Sequence, residues 1–182
     1  MSNAPIDILA IDLATTCGWA RGFPGATPAC GIARFGSPNA SNNAVFGNAL
    51  KWMSDILKAE PRPHSIILES MLPPQALKGE TSRATRDRLA GLHGIVRGVA
   101  HCRGIYDISD VSVLVVRQHF CGNRGCGKQA VFDKCRKLGW PVTDLNESDA
   151  CAAWHFACAL VDPKVALEVS PLFGKRPMRV SA

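Results

Sequence analysis

No apolar stretch in this chain approaches the ~20 consecutive residues that cross a bilayer, so no membrane-spanning segment and no membrane partner are expected. The opening "MSNAPIDILAIDL" has neither a basic leader nor a small-residue cleavage site, and it reads as lacking a secretion signal. Internal repeats, low-complexity tracts and strong linkers are also missing. The eight cysteines (17, 30, 102, 121, 126, 135, 151 and 158) include no CxxC pair. Structural zinc sites usually need such pairs and four ligands. Cys121, Cys126 and Cys135 come nearest, but spacings of four and eight intervening residues, with no paired second half, argue against zinc. Without a secretion signal the cysteines read as reduced, mostly buried thiols.

What is present describes a globular chain. Its 182 residues are 47% hydrophobic and 20% charged. That suits one domain whose core needs no disulfides. We divide it into a domain over 1–165 and a basic, flexible tail over 166–182. The net charge is +6, and its distribution says more than its size. Residues 1–60 are balanced, with four basic and four acidic side chains. Residues 78–103 carry six basic groups, among them Arg83 and Arg86, against two acidic ones. Residues 117–137 carry six, among them Arg117 and Lys128, against one. Two such segments suit a surface that faces a polyanion, most commonly nucleic acid. A solvated helix face is the alternative.

Periodicity sets the order of elements. "IDILAIDL" (6–13) alternates, with Ile6, Ile8, Ala10 and Asp12 on one face of a strand. "GWARGF" and "ACGIARFG", separated by "PGATP", complete an antiparallel meander. Val45, Ala49, Met53, Ile56 and Leu57 fall at helical spacing, with Ser41 or Asn42 as cap and Pro61 as stop. "HSIILES" (64–70) is a buried strand, and 80–102 a helix with an apolar stripe of Leu89, Leu92, Val96 and Val99. A further strand is predicted near 111–116, then a Gly-rich loop and helices over 128–138 and 146–161. This order implies a mixed sheet, antiparallel at one edge and parallel beyond it, with helices packed against it.

Three acids stand out against apolar neighbours: Asp12, Glu69 and Asp149. Isolated, each would cost several kcal/mol, by order of magnitude, unless paired or metal-bound. Each also has a purely structural reading. Asp12 can accept N–H groups of the "TTCG" turn, Glu69 can pair with an arginine of the next helix, and Asp149 can sit in a first turn capped by Asn146. In the proposed order the first and fourth strands lie side by side and the last helix crosses their ends. The three carboxylates then meet. Oxygen-only ligands select hard ions, Mg²⁺ or Mn²⁺, and two ions ~4 Å apart can promote phosphodiester hydrolysis.

At this point the sequence resembles a known family, the RuvC-like Holliday junction resolvases of the RNase H superfamily. "ILAIDLATTCGWA" is similar to their first strand, "IILES" to the strand carrying the glutamate, and "LAGLHGIVRGVAHCRGI" to the long helix after it. "VRQHFCGNRGCGKQAV" resembles their basic segment and "NESDACAAWHFA" their closing helix, all in order from about 6 to 160. The resemblance implies an α/β, RNase H-like fold: a mixed five-stranded sheet with helices on both faces. It implies an endonuclease that resolves four-way DNA junctions in recombination and repair, cytoplasmic and bacterial or phage-encoded, acting as a homodimer that pairs through the 80–102 helix.

The same resemblance makes Asp12, Glu69 and Asp149 catalytic metal ligands for two Mg²⁺ or Mn²⁺ ions. Lys128 matches the family's active-site lysine, Arg117 a second basic position near DNA, and Met71 and Leu72 an apolar position near the junction centre. Arg83 and Arg86 join the DNA-facing set. The chain departs from the pattern at Asn146, where the family has a fourth Asp or His ligand. Glu147 and Asp144 are substitutes, but helical spacing turns Glu147 off the Asp149 face, so Asn146 is preferred. His155 lies across the helix from Asp149 and reads as a packed side chain. Other readings remain: a nuclease for forks, flaps or hybrids, a non-catalytic junction binder, or an actin-like nucleotide-binding fragment using "DLATTCG", for which 182 residues leave little room.

Overall fold

The computed structural model describes residues 6–71 and 83–169. The chain opens with the expected meander: β1 (Ile8–Asp12), β2 (Thr16–Gly22) and β3 (Ala29–Arg34). Next comes α1 (Asn42–Ile56), where the Ser41 hydroxyl accepts the Ala44 N–H and Val45, Ala49 and Met53 are buried along one face. β4 (Ser65–Glu69), α2 (Arg83–Cys102) and β5 (Asp107–Val111) follow. The chain then turns helical: α3 (Val113–Cys121), α4 (Lys128–Lys137), α5 (Leu145–Val161), a 3-10 turn over Pro163–Val165 and α6 (Ala166–Val169). Among the described residues, no helix is long and apolar enough to cross a membrane.

The sheet order is β3-β2-β1-β4-β5. β2 runs antiparallel to both β1 and β3, whereas β4 runs parallel to both β1 and β5. The period-two alternation of strands divides their side chains between two cores. Ile8, Ala10 and Ile67 face a core built with α3, α4 and α5. Leu9, Ile11, Ile66 and Leu68 face the opposite core, closed by α1 and α2. The fold is therefore a mixed five-stranded sheet with helices on both faces, of RNase H-like topology.

α5 lies at the centre of the first core. Ala150, Cys151, Ala152, Ala153, Ala157 and Cys158 are all buried, and these small side chains let the helix lie close to the sheet. The Trp154 indole N–H donates to the Gly22 carbonyl at 3.2 Å, tying the middle of α5 to the end of β2.

Two expectations need correction. The strand predicted near 111–116 is helix α3, and the actual strand is the polar "DISDV" before it. A short β-branched apolar run does not distinguish a strand from a buried helix. Here Ser112 decides, because its hydroxyl accepts the Leu114 N–H and starts a helix. β5 is an edge strand with acids along it, a common guard against edge-to-edge pairing. The cap of α5 is Asp144 and not Asn146, within a capping box completed by Glu147. In the segment read as tail, Val169 of α6 is buried against the first core, and residues 170–182 lie outside the described residues.

Candidate active site

Strand register places two of the acids together. Ile11 of β1 is level with Leu68 of β4 in a parallel pair, so Asp12 and Glu69 leave the ends of these strands side by side. Asp12 shares its parity with Ile8 and Ala10, and Glu69 with Ile67, so both carboxylates point to the α5 face.

The third acid arrives through a glycine. Gly18 of β2 is the cross-strand partner of Asp12. A methyl group built on Gly18 would overlap the carbonyl group of Asn146. The bare backbone of β2 therefore lets the first turn of α5 sit directly on the sheet beside Asp12. Asn146 and Asp149, three residues apart, then lie on one helix face over the strand ends. Sequence reasoning passed over Gly18. The available signal was a glycine inside a strand pattern, which marks close backbone approach.

Glu147 is taken up elsewhere. Its carboxylate accepts the N–H groups of Thr143 (2.6 Å) and Asp144 (3.2 Å) and the Thr143 hydroxyl (3.0 Å). It holds the start of α5 and is not available to the acid group.

Two cations face the acids. Lys128, the first residue of α4, places Nζ 2.8 Å from Asp149 Oδ2 and 3.4 Å from Asn146 Oδ1. Arg117 of α3 lies within electrostatic reach of Asp12 and Glu69, and its buried Nε has no hydrogen-bond partner among the described residues. Burial pushes Asp12 up to about 6; Asp149 adds to the rise, while Lys128 and Arg117 oppose it. Burial pushes Glu69 up to about 7, reinforced by Asp12 and Asp149 and again opposed by the two cations. For Lys128, burial favours the neutral amine, but the bond to Asp149 and the surrounding carboxylates outweigh it and hold the ammonium above the ordinary lysine value.

The structural alternatives for the first two acids do not hold. Among the described residues, neither the Asp12 nor the Glu69 carboxylate forms a hydrogen bond or contact ion pair, so no "TTCG" amide and no α2 arginine satisfies them. The donors that meet here are carboxylate and amide oxygens, the chemistry of a hard divalent ion. Among the described residues, however, no three His, Cys, Asp or Glu side chains stand ready as a metal group, and this covers the cysteine cluster too. Lys128 holds Asp149 instead.

The other predicted residues lie apart from the acids. Arg83 and Arg86 are exposed at the start of α2, and Arg83 reaches Asp87 on its own helix at 3.8 Å. Met71, two residues after Glu69, is 47% exposed, and Leu72 lies outside the described residues. His155 is packed as expected: fully buried, with Nδ1 3.0 Å from His119 Nε2. Part of the basic excess is structural. Lys134 donates to the carbonyls of Phe120 and Val169, Arg136 to that of Val142, and Arg88 to that of Ala40.

No family model and no curated protein matches the sequence. Solved structures do match, at the level of this class of fold. Within that class the chain is similar to Thermus thermophilus RuvC, at 17% identity and TM-score 0.66, over 86% of this chain and 96% of that one. It is similar to the same protein in complex with Holliday junction substrate, at 16% identity and TM-score 0.65, over 82% and 90%. The yeast mitochondrial Holliday junction resolvase Ydc2 matches at 10% identity and TM-score 0.56, over 87% and 82%. At these identities the likeness is one of fold.

Two predictions follow from this geometry. Gly18→Ala should force the first turn of α5 off β2 and cost at least about 2 kcal/mol in urea unfolding; an unchanged midpoint would contradict the close approach. Second, the metal-free folded state holds the Asp12 and Glu69 protons more tightly than the unfolded chain, so stability should fall as pH rises from 3.8 to about 7. Glu69→Gln should therefore stabilise the protein in chelator at pH 8, by on the order of 2 kcal/mol, and far less at pH 4. Parallel stability–pH curves for the two proteins would contradict the shift.

Proposed function

We propose that this chain is a metal-dependent endonuclease that resolves four-way DNA junctions. The observation that carries the proposal is that Asp12 and Glu69 end the adjacent strands β1 and β4 and that both feel the charge of Asp149 on α5. The fold's likeness to a RuvC that has been seen with Holliday junction substrate supports the choice of substrate.

In this reading Asp12, Glu69 and Asp149, with the Asn146 amide oxygen, hold Mg²⁺ or Mn²⁺, two ions per site. Bound there, the ions supply Lewis acidity for attack of water on a phosphodiester. The chain's own side chains do the rest. Burial and mutual repulsion leave Asp12 and Glu69 poor places for bare negative charge, so they favour a cation. Arg117 and Lys128 hold the phosphate beside the carboxylates and offset the charge that builds on it. Arg83 and Arg86, exposed at the start of α2, and Met71, exposed beyond Glu69, contact the DNA arms. A four-way junction is two-fold symmetric, so paired cuts call for two copies of the site and hence a homodimer. We place its contact on α2, whose outer side forms with α1 an apolar groove of about 560 Å³ lined by Leu50, Ile95 and Val99.

One observation favours a second reading, a junction binder without catalysis: the Lys128 ammonium sits on Asp149, and an amide stands at Asn146.

Synthetic four-way, forked and linear duplex DNA, incubated with Mg²⁺ or Mn²⁺, distinguishes the readings. Symmetric nicks in the four-way junction alone are expected, reduced on the order of 10²-fold or more by Asp149→Asn. Cleavage of forks or flaps instead would move the substrate within the same fold. Binding without cleavage in either metal would overturn the nuclease reading.

A further inference from the structure

We propose that Lys128 is a built-in counter-ion that latches the site. It holds Asp149 and Asn146 in the absence of metal, leaves them when the carboxylates take up a divalent ion, and then carries its charge to the DNA phosphate. The inference rests on the reading of Asp12, Glu69 and Asp149 as metal ligands.

The geometry is that of a latch. The Lys128 side chain is 46% exposed, whereas that of Asp149 is 6% exposed. The ammonium thus reaches inward from solvent to a nearly buried carboxylate. Its partners belong to α5, while Lys128 belongs to α4, just after Gly127. Nζ contacts one carboxylate oxygen and the one amide oxygen of Asn146, the two α5 groups that face the acids. An ammonium and a divalent ion on these groups would repel across a few ångströms of partly buried space, so the two compete for them.

The charge balance points the same way. Three carboxylates beside Lys128 and Arg117 leave the site close to neutral without metal. Divalent ions turn that into a surplus of positive charge, which drives the most mobile cation outward. Arg117 is poorly suited to that role, since its Nε is buried. Lys128 already borders solvent, where the phosphate of a substrate arrives. Metal and DNA binding are then coupled, and each raises the affinity of the other by the same factor.

The test uses the full chain without DNA and Mn²⁺ as the probe. Calorimetry should show Lys128→Met and Lys128→Gln binding Mn²⁺ about tenfold more tightly than the unsubstituted chain. Arg117→Met removes a nearby charge without touching Asp149 and should gain no more than about threefold. In the unsubstituted chain, reductive methylation of Lys128, read by mass spectrometry, should be slow in chelator and faster in Mn²⁺. Equal or weaker Mn²⁺ binding by both Lys128 variants would overturn the latch while leaving the metal site intact. So would Lys128 methylation that Mn²⁺ does not change. Absence of Mn²⁺ binding in all four proteins would overturn the metal reading itself, and the latch with it.

Discussion

Three acids and two bases share the end of the β1–β4 pair, and the need to balance their charge governs the rest of the site. Burial, reinforced by the neighbouring carboxylates, raises Asp12 and Glu69 well above the ordinary carboxylate range. Carboxylates forced together in low dielectric remain charged only beside a cation. Lys128 meets part of that need by binding Asp149, and Arg117 contributes from α3. The Asp12 and Glu69 carboxylates stay without a contact partner among the described residues. Structures stabilised only for folding tend to avoid such unpaired, partly buried acids, because replacing them with neutral groups gains stability.

The scaffold enforces this crowding with ordinary means. Parallel pairing sets Asp12 and Glu69 level, and strand alternation turns both to the face where α5 packs. Small residues along α5 and the bare backbone of Gly18 bring the first turn of that helix onto the sheet. Glu147, an acid that could have joined the group, is held by the capping box and positions Asp149 from a distance. The basic residues likewise divide into two uses. Lys134, Arg136 and Arg88 satisfy backbone carbonyls that pin α3, α4, α6 and the entry to α1. Arg117 and Lys128 face the acids. A net charge of +6 therefore overstates the surface offered to a polyanion.

Much of this was legible in the chain. The alternation of "IDILAID" marked the first central strand and the face of Asp12, and the brief apolar run "SIILE" marked the second, ending in an acid. The order of elements implied that the first and fourth strands pair, and they do. Three features were not legible, for separate reasons. "VSVLVV" has the β propensity of a strand, but the Ser112 cap makes it a helix. Asp144, Asn146 and Asp149 are all competent caps, and only the backbone conformation at Asp144 settles which of them serves. The Lys128–Asp149 pair joins residues 21 apart on different helices, so no local periodicity reveals it.

The central proposal is that Asp12, Glu69 and Asp149 together hold divalent cations at the ends of β1 and β4. Its most direct test is anomalous scattering from crystals of the protein grown or soaked in Mn²⁺. The account predicts anomalous peaks among the oxygens of Asp12, Glu69 and Asp149, with the Lys128 ammonium withdrawn from Asp149. Well-ordered crystals in millimolar Mn²⁺ with no peak at these carboxylates, and with the Lys128–Asp149 ion pair still in place, would contradict it.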